Sequence, residues 1–400
     1  MRTKLPFIFV IITVMLDSMG LGLVMPVLPD LITEIHGGTV SAAAVWGGFL
    51  AFTYSVMQFG CAPLLGNLSD AYGRRIVLLT SLVVMGLDYF LMAAAGSLWL
   101  LVLARALSGA TGATYSTAAA FLADISKPED RSANFGLIGA AFGLGFIIGP
   151  GIGGLLGELG TRAPFYAAGT LALVNAVFGW FAMPESLSSA NRRKFDLARA
   201  NPFSALLRLR EMPAVGGLVA VMFVYTIANY VYPAVWSFFG KERFAWSSGT
   251  VGLSLAYYGL LAVVVQGWLI RPILRKFGER KTAIAGFVLS AVGMVFLGFV
   301  ESDFLVFALM PITALGVIVT PALQGMSANR VSDSEQGELQ GVISSVNGIA
   351  MIISPLVMTG LFRAFTREEA SIYLPGAPFL LAGLLTLVSL AMLIRIRRLG

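Results

Sequence analysis

The sequence predicts an all-α membrane protein with twelve transmembrane helices arranged as two pseudo-symmetric six-helix bundles. Hydrophobic residues make up 57% of the 400 residues and charged residues 12%, whereas a soluble domain has about 25% charged residues. The apolar residues fall in stretches close to the roughly 20 residues that a helix needs to cross a bilayer. Because so apolar a chain cannot bury its side chains in one soluble core, its solvent must be lipid, and we expect a multi-pass integral membrane protein.

Twelve apolar stretches qualify as spans, and we number them in chain order. They are residues 6–28, 42–65, 76–95, 98–123, 133–157, 163–183, 214–239, 250–273, 282–300, 303–328, 339–362 and 376–395.

The lysines and arginines decide the orientation. With a cytoplasmic N-terminus, most of the 27 fall in the loops on the inner side, as the positive-inside rule requires. Both termini are therefore predicted to be cytoplasmic, and this bias also explains the net charge of +6 without a nucleic-acid partner. The outer loops hold five: Arg162, Lys241, Arg243, Arg363 and Arg367.

The polar stretch 184–213 divides the chain and is predicted to be a cytoplasmic linker, with bundles at 1–183 and 214–400. The two bundles look like a duplication, because four pairs of residues match at an offset of 205. The pairs are Gly47 and Gly252, Gly73 and Gly278, Gly136 and Gly341, and Pro150 and Pro355.

Three charges lie in the interior of predicted spans, away from the ends: Asp17 in the first, Asp88 in the third and Arg105 in the fourth. At 1.5 Å per residue, each lies about 18–20 Å from the cytoplasmic end of its span. An intramembrane charge is costly and usually functional. We therefore predict a site for proton and substrate coupling in the first bundle; the alternative is a purely structural charge cluster.

The loop GNLSDAYGRR, residues 66–75, places Asp70 and Arg74 four residues apart, so they can pair if the loop is helical. Asp124, in the loop after span four, is a second candidate partner of Arg74. The alternative is a short basic loop that only obeys the positive-inside rule.

Span five is rich in glycine. Its GxxxG spacings at 139/143, 145/149, 149/153 and 153/157 remove side chains from a helix face and permit close packing. Pro150 removes one backbone hydrogen bond and can bend the helix. Ordinary small-residue packing is the alternative interpretation.

These motifs resemble the major facilitator superfamily. The loop pattern G-x-L-x-D-x-x-G-R-R is similar to its loop signature, and the run Gly149–Gly154 is similar to the antiporter signature of its drug/proton exporters. The resemblance is strongest to the tetracycline-efflux group, in LDSMGLGLVMPVLPDL (16–31), APLLGNLSDAYGRRIVLL (62–79), LDYF (87–90), RALSGATGAT (105–114), GAAFGLGFIIGPGIGG (139–154), ERFAWSSGTVGLSLA (242–256), PALQGM (321–326) and QGELQG (336–341).

The resemblance implies two six-helix repeats with the substrate site between them near mid-membrane, and export of a drug in exchange for protons. It carries transport roles to Asp17, Asp70, Asp88 and Arg105, and a polar pocket position to Gln58. Gating in the family further implicates a set comprising Asp70, Gly73, Arg74, Arg75, Asp124, Gly149 and Pro150.

Two positions depart from that group. Ala262 stands where the group has a histidine and Ser290 where it has an aspartate, and no acid or histidine lies in the interior of any second-half span; Asp303 is the first residue of its span. For the pocket we expect polar side chains from both bundles, the alternative for each being a helix–helix hydrogen bond. They are Gln58, Asn229, Tyr230, Tyr232, Gln266, Gln324 and Asn347.

The predicted function is therefore proton-coupled export of amphipathic drug-like molecules or metabolites from a bacterial cytoplasmic (inner) membrane, by alternating access. The alternative is a symporter or uniporter for an unrelated metabolite. We do not expect an enzyme, because HExxH and GxSxG are absent and the single histidine, His36, is predicted to lie in a loop. We expect a monomer in lipid that binds a small-molecule substrate and protons, without a cofactor, metal or nucleic acid.

Overall fold

The computed structural model describes residues 4–112, 114–188, 190, 192–196 and 201–396, and within those ranges the regular structure is helical. The predicted linker 184–213 is described in part, because residues 189, 191 and 197–200 lie outside these ranges.

The first half of the chain forms eight helices. They are α1 (Lys4–Val24), α2 (Leu28–His36), α3 (Val40–Tyr72), α4 (Arg74–Ala93), α5 (Leu98–Thr111), α6 (Thr114–Ile125), α7 (Arg131–Leu159) and α8 (Ala163–Ala182). His36 is the last residue of α2, so the prediction that it lies in a loop is wrong; the short amphipathic helix after the first span was not foreseen.

The second half forms nine helices. They are α9 (Ser204–Arg208), α10 (Pro213–Asn229), α11 (Val231–Phe244), α12 (Ser248–Val264), α13 (Ile270–Phe299), α14 (Asp303–Ala314), α15 (Val319–Ala328), α16 (Gln336–Thr366) and α17 (Ala377–Arg395). A π-turn at Val265–Leu269 joins α12 to α13, and a 3₁₀ turn at Leu315–Ile318 joins α14 to α15.

Ten helical stretches of the described chain are long and apolar enough to cross a membrane, whereas the sequence predicts twelve spans. Two features account for the difference. Span four is interrupted at Gly112, between α5 and α6, so neither piece reaches full length. Spans eight and nine run together as one stretch of 52 residues, Ser248–Phe299, in which Gly278 breaks the helix at φ +73°.

The described chain divides into two units. Unit 1 comprises residues 1–37, 53–202 and 247–256, and unit 2 comprises residues 38–52, 203–246 and 257–400. The beginning of α12 thus packs within unit 1, and the beginning of α3 within unit 2. Each unit has its own apolar core, which in unit 1 includes Phe9, Leu78 and Phe121, and in unit 2 Val215 and Phe287.

Ion-pair contacts join the ends of several helices in unit 1. The Glu34 carboxylate, in α2, accepts hydrogen bonds from the Thr161 hydroxyl at 2.5 Å and from Arg162 Nη2 at 3.1 Å. Arg162 Nη1 also donates to the carbonyl oxygen of Ala93 at 2.6 Å, at the end of α4. The hydrogen bond from Thr161, followed by that from Arg162 and its charge, lowers the pKa of Glu34.

Candidate functional site

The three predicted intramembrane charges meet around one phenol in unit 1. Tyr89, in α4, is 5% exposed, and it lies within electrostatic range of Asp17, Asp88 and Arg105. A Cβ added to Gly20, in α1, would touch the Tyr89 ring, so this side chain spans from α4 to α1 one turn from Asp17. The structure therefore brings α1, α4 and α5 together around Tyr89. We call Asp17, Asp88 and Arg105 the charged cluster.

Asp88 is the most enclosed member of the cluster. It is 2% exposed, and its Oδ2 atom accepts a hydrogen bond from the Ser108 hydroxyl, one turn after Arg105 on α5. Its other oxygen, Oδ1, is buried and has no hydrogen-bond partner in the described chain. An ionised carboxylate in this position is under-solvated, because desolvation of a charge without full hydrogen bonding costs several kcal/mol.

Asp17 has a different environment from Asp88. Its side chain is partly accessible, and the described residues provide it with no hydrogen bond or ion pair. The cluster therefore contains one enclosed carboxylate that accepts a hydrogen bond and one that accepts none from the described residues, and Tyr89 lies within electrostatic range of both.

Arg105 does not form an ion pair with Asp88 among the contacts of the described residues. Its guanidinium carbon instead lies 6.0 Å from the centre of the Tyr54 ring, in α3. The Gln58 amide donates to the Tyr54 hydroxyl at 3.1 Å and to the carbonyl oxygen of Gly112 at 3.2 Å. Gln58 thus donates a hydrogen bond to a backbone carbonyl that the break in span four leaves without a helical partner, and lipid tails could not supply such a donor. Through Tyr54, Gln58 also links this break to the charged cluster.

The predicted ion pairs of loop 66–75 are present. Asp70 lies in the last turn of α3 and Arg74 is the first residue of α4, and Arg74 Nη1 lies 2.5 Å from Asp70 Oδ1 across the turn at Gly73. Arg74 Nε also lies 3.4 Å from Asp124 Oδ2. Gly73 separates α3 from α4 with φ +111°, a conformation that favours glycine. We call Gly73 with these three charged residues the first joint.

The second half has a related joint of different polarity. Gly278, at the offset of 205, breaks its helix at φ +73°. The residue matching Arg74 is Glu279, and its carboxylate accepts hydrogen bonds from the Asn329 amide at 3.1 and 3.2 Å. Asn329 matches Asp124 at the same offset. At the same offset Arg275 stands in place of Asp70, and the pair of Glu279 with Asn329 was not predicted from the sequence.

The glycines of α7 have distinct partners. Gly145, Gly149 and Gly153 face the backbone of α1, where an added Cβ would meet main-chain atoms of Met15, Met19 and Leu23. Gly139 and Gly143 face open space, so the predicted close-packing face begins at Gly145. Pro150 lies inside α7, and Gly22 of α1 packs against its ring.

Two carboxylates at the beginning of α12 were missed by the sequence analysis. Glu158, near the end of α7, accepts a hydrogen bond from the Gly249 N–H at 2.6 Å. Asp30, in α2, accepts one from the Ser248 hydroxyl at 2.6 Å. Carboxylates are stabilised at helix N-termini by free N–H groups and the helix dipole. The sequence feature that could have predicted these contacts was an acid at the end of one predicted span together with a Ser-Gly pair at the start of another.

The predicted pocket residues of unit 2 are only partly connected. Tyr232 stacks on Tyr258 with ring centres 5.8 Å apart, and the Thr226 hydroxyl donates to the Asn347 side chain at 3.1 Å. Asn229, Tyr230 and Gln324 are half-buried and Gln266 is exposed, and within the described chain no side-chain hydrogen bond joins them to the other predicted pocket residues.

Ser290, at the position where an acid was expected, lies in a neutral network. Its hydroxyl is 3.4 Å from the hydroxyl of Tyr225, which donates to the carbonyl oxygen of Gly316 at 3.2 Å. Tyr225 was not predicted, because an aromatic residue in an apolar helix gives no distinctive signal.

Comparisons with known proteins agree with this architecture. A model of the Major Facilitator Superfamily matches residues 10–275 and 217–399. A class C tetracycline resistance protein of Escherichia coli is 42% identical over 91% of both chains, and a class G protein of Vibrio anguillarum is 40% identical over 89% of this chain and 90% of that protein.

A solved structure shows the same fold at low identity. A bacterial homologue of the human lysosomal transporter Spinster superimposes with a TM-score of 0.81 at 14% identity, covering 97% of this chain and 95% of that one. The family model matches two segments of the chain, the tetracycline resistance relatives cover about nine-tenths of it, and the solved structure shares its helical fold. The chain therefore belongs to the Major Facilitator Superfamily.

Proposed function

We propose that this protein exports amphipathic drug-like molecules, tetracyclines among them, across a bacterial inner membrane in exchange for protons. The relatives at about 40% identity are tetracycline resistance proteins, and a Bacillus subtilis multidrug resistance protein is 27% identical over 97% of this chain. The observation that carries the proton part of the proposal is Asp88, a buried carboxylate with one unpartnered oxygen beside Arg105.

In this mechanism the charged cluster exchanges a proton for the substrate. Asp17 is the proposed site of proton uptake, because its side chain is less enclosed than that of Asp88. Asp88 holds a proton at low cost, since its neutral form needs less solvation than its ionised form. Arg105 offsets the negative charge when either carboxylate ionises. The neutral Ser290 network and the absence of second-half acids leave Asp17 and Asp88 as the coupling carboxylates of the spans.

Gating is assigned to the first joint and to α7. Arg74 holds Asp70 and Asp124 together, so a change in those contacts loosens α3, α4 and α6 at one end. Glu185 adds to the joint by accepting the backbone N–H groups of Arg74 at 2.9 Å and of Arg75 at 3.3 Å. Gly149 and Pro150 keep α7 close to α1, which carries Asp17.

The substrate pocket is proposed to include Gln58 and the unit 2 residues Asn229, Tyr230, Tyr232, Gln266, Gln324 and Asn347. Gln58 is supported by its link, through Tyr54, to Arg105. Tyr232 is supported by its stack with Tyr258, because aromatic rings bind the flat faces of polycyclic drugs. We further propose that both termini are cytoplasmic, that the sequence repeats at 1–183 and 214–400 are joined by the linker 184–213, and that the protein is a monomer.

The test is transport driven by a pH gradient in proteoliposomes. We expect a gradient to drive tetracycline transport by the unaltered protein, and Asp17→Asn and Asp88→Asn to abolish it while expression stays intact. Asp303→Asn, which neutralises an exposed carboxylate at the start of α14, is the matched control and should transport normally. Gradient-driven transport by Asp17→Asn at the unaltered rate would refute the coupling role.

A carrier for an unrelated metabolite, working as a symporter or uniporter, is the second candidate, and Ser290 favours it because the second half offers no titratable group at that position. Substrate counterflow that is independent of pH, in a protein that does not move tetracycline, would select this alternative.

A further inference from the structure

A groove on the surface of unit 1 lies between α4 and α8 and is not used by the charged cluster or the first joint. Its volume is about 610 Å³, and its wall is almost entirely apolar. The residues that define it are Leu79, Val83, Leu173, Val177, Trp180 and Phe181. Val177, Trp180 and Phe181 are 60%, 65% and 82% exposed, so the groove opens outward along the side of the unit.

The groove has a packing origin. Helices α4 and α8 approach most closely at two glycines, where a Cβ on Gly169 would lie 3.0 Å from the carbonyl oxygen of Gly86. Helices that cross at an angle separate on either side of the crossing. All the groove residues lie on the Arg75 side of this crossing, and Leu173 to Phe181 covers about 12 Å along the helix. That length fits one leaflet of a hydrocarbon core about 30 Å thick.

A cation closes the end of the groove. Arg75 is the second residue of α4, one helical turn before Leu79. Its Nη2 donates to the carbonyl oxygen of Trp180 at 2.7 Å, and its guanidinium lies over the Trp180 ring at 5.3 Å. Its Nε is buried without a hydrogen-bond partner in the described chain, which leaves a charged donor unsatisfied and costs free energy.

We propose that this groove binds one anionic phospholipid, with an acyl chain along α4 and α8 and the phosphate at the Arg75 guanidinium. Charge complementarity selects the lipid class: the Arg75 guanidinium supplies a positive charge at the end of the groove, and Arg192, Arg193 and Lys194, all exposed, add positive charge to the nearby linker. The backbone N–H of Arg193 donates to the carbonyl oxygen of Asp70 at 3.1 Å, which holds this basic segment near the end of α3.

In the proposed topology the Arg75 end of the groove is cytoplasmic, so the lipid would lie in the cytoplasmic leaflet. Binding of the lipid in the groove does not depend on this topology. Trp180 at the groove mouth suits the membrane interface, where tryptophan is enriched. The lipid would cover apolar surface and neutralise Arg75 at once, so it is a resident of the fold rather than a transported molecule.

The test is native mass spectrometry of the whole purified protein, delipidated and titrated with phosphatidylglycerol or phosphatidylcholine of the same chain length. We expect one phosphatidylglycerol to bind more tightly than phosphatidylcholine. Arg75→Gln should weaken phosphatidylglycerol binding roughly fivefold, as expected for the loss of one lysine or arginine near an anionic headgroup. Arg75→Lys should retain most of it.

Matched controls separate the groove from the general surface. Val177→Trp fills the groove and should abolish the bound lipid, whereas Val174→Trp, on the same helix at 61% exposure and outside the groove, should not. Arg131→Gln removes an exposed cation elsewhere and should leave binding unchanged. The proposal is overturned if phosphatidylcholine binds equally well, or if folded Arg75→Gln and Val177→Trp proteins, checked by gel filtration, retain the lipid.

Discussion

Replacing Gly149 by alanine should separate α7 from α1. A Cβ at this position would lie 2.5 Å from the carbonyl oxygen of Met19 and 3.0 Å from its Cα, whereas optimal non-bonded contacts lie near 3.5–4.0 Å. The obstacle is backbone, so no side chain can rotate away, and one helix must move by about 1 Å. Overpacking of this kind costs roughly 1–3 kcal/mol.

The control lies in the same helix. Gly143 has no atom within 4 Å of the added Cβ, so Gly143→Ala meets no obstacle and should gain up to about 1 kcal/mol from the lower backbone entropy of the unfolded chain. Thermal unfolding of both variants in the same detergent measures the difference, and we expect Gly149→Ala to unfold at the lower temperature. Equal unfolding temperatures, or a more stable Gly149→Ala, would refute the close approach of α1 and α7.

Three further predictions follow from other contacts of unit 1. Glu158→Gln weakens a charge-assisted hydrogen bond at the start of α12, so that segment should become more accessible to a thiol reagent at a cysteine placed beside it, with a loss of about 1 kcal/mol. Glu34→Gln should make the stability of the fold less sensitive to acid. Hydrogen bonds from Thr161 and then Arg162 lower the pKa of Glu34, so the stability that Glu34 contributes is complete above its unfolded pKa of 4.5 and is lost as the pH falls through the lower folded pKa. Melting temperatures measured across this pH range test the prediction. Ser108→Ala removes the hydroxyl donor to the buried carboxylate of α4 and should change the pH dependence of transport without lowering the yield of folded protein; an unchanged pH profile would contradict the role of that hydrogen bond.

The geometry of the charged cluster was predictable in outline from sequence alone. Helical rise placed Asp17, Asp88 and Arg105 at one depth, and the i, i+4 rule anticipated the Asp70–Arg74 pair, because both depend on local chain geometry. Tyr89, which the three charges surround, was not predictable, since an aromatic residue in an apolar helix carries no signal of its neighbours.

Contacts between distant segments were the main omission. Glu158 and Gly249 are separated by 91 residues, and only the packing of α7 beside the start of α12 brings them together. The count of long helices also differed from the count of spans, because span four is divided at Gly112 and the helices of spans eight and nine run together across Gly278.

The two joints share a glycine with a positive φ and differ in the charges of their side chains, so the two halves should respond differently to added salt. In the first joint a cation holds two carboxylates with side chains 26–35% exposed, so added salt screens its attraction within a Debye length of about 8–10 Å. In the second joint an anion is held by a neutral amide, where no pair of opposite charges can be screened. Ionic strength should therefore loosen the first joint before the second, and the duplicated fold acquires this asymmetry from three differences at the offset of 205: Asp70 and Arg275, Arg74 and Glu279, and Asp124 and Asn329.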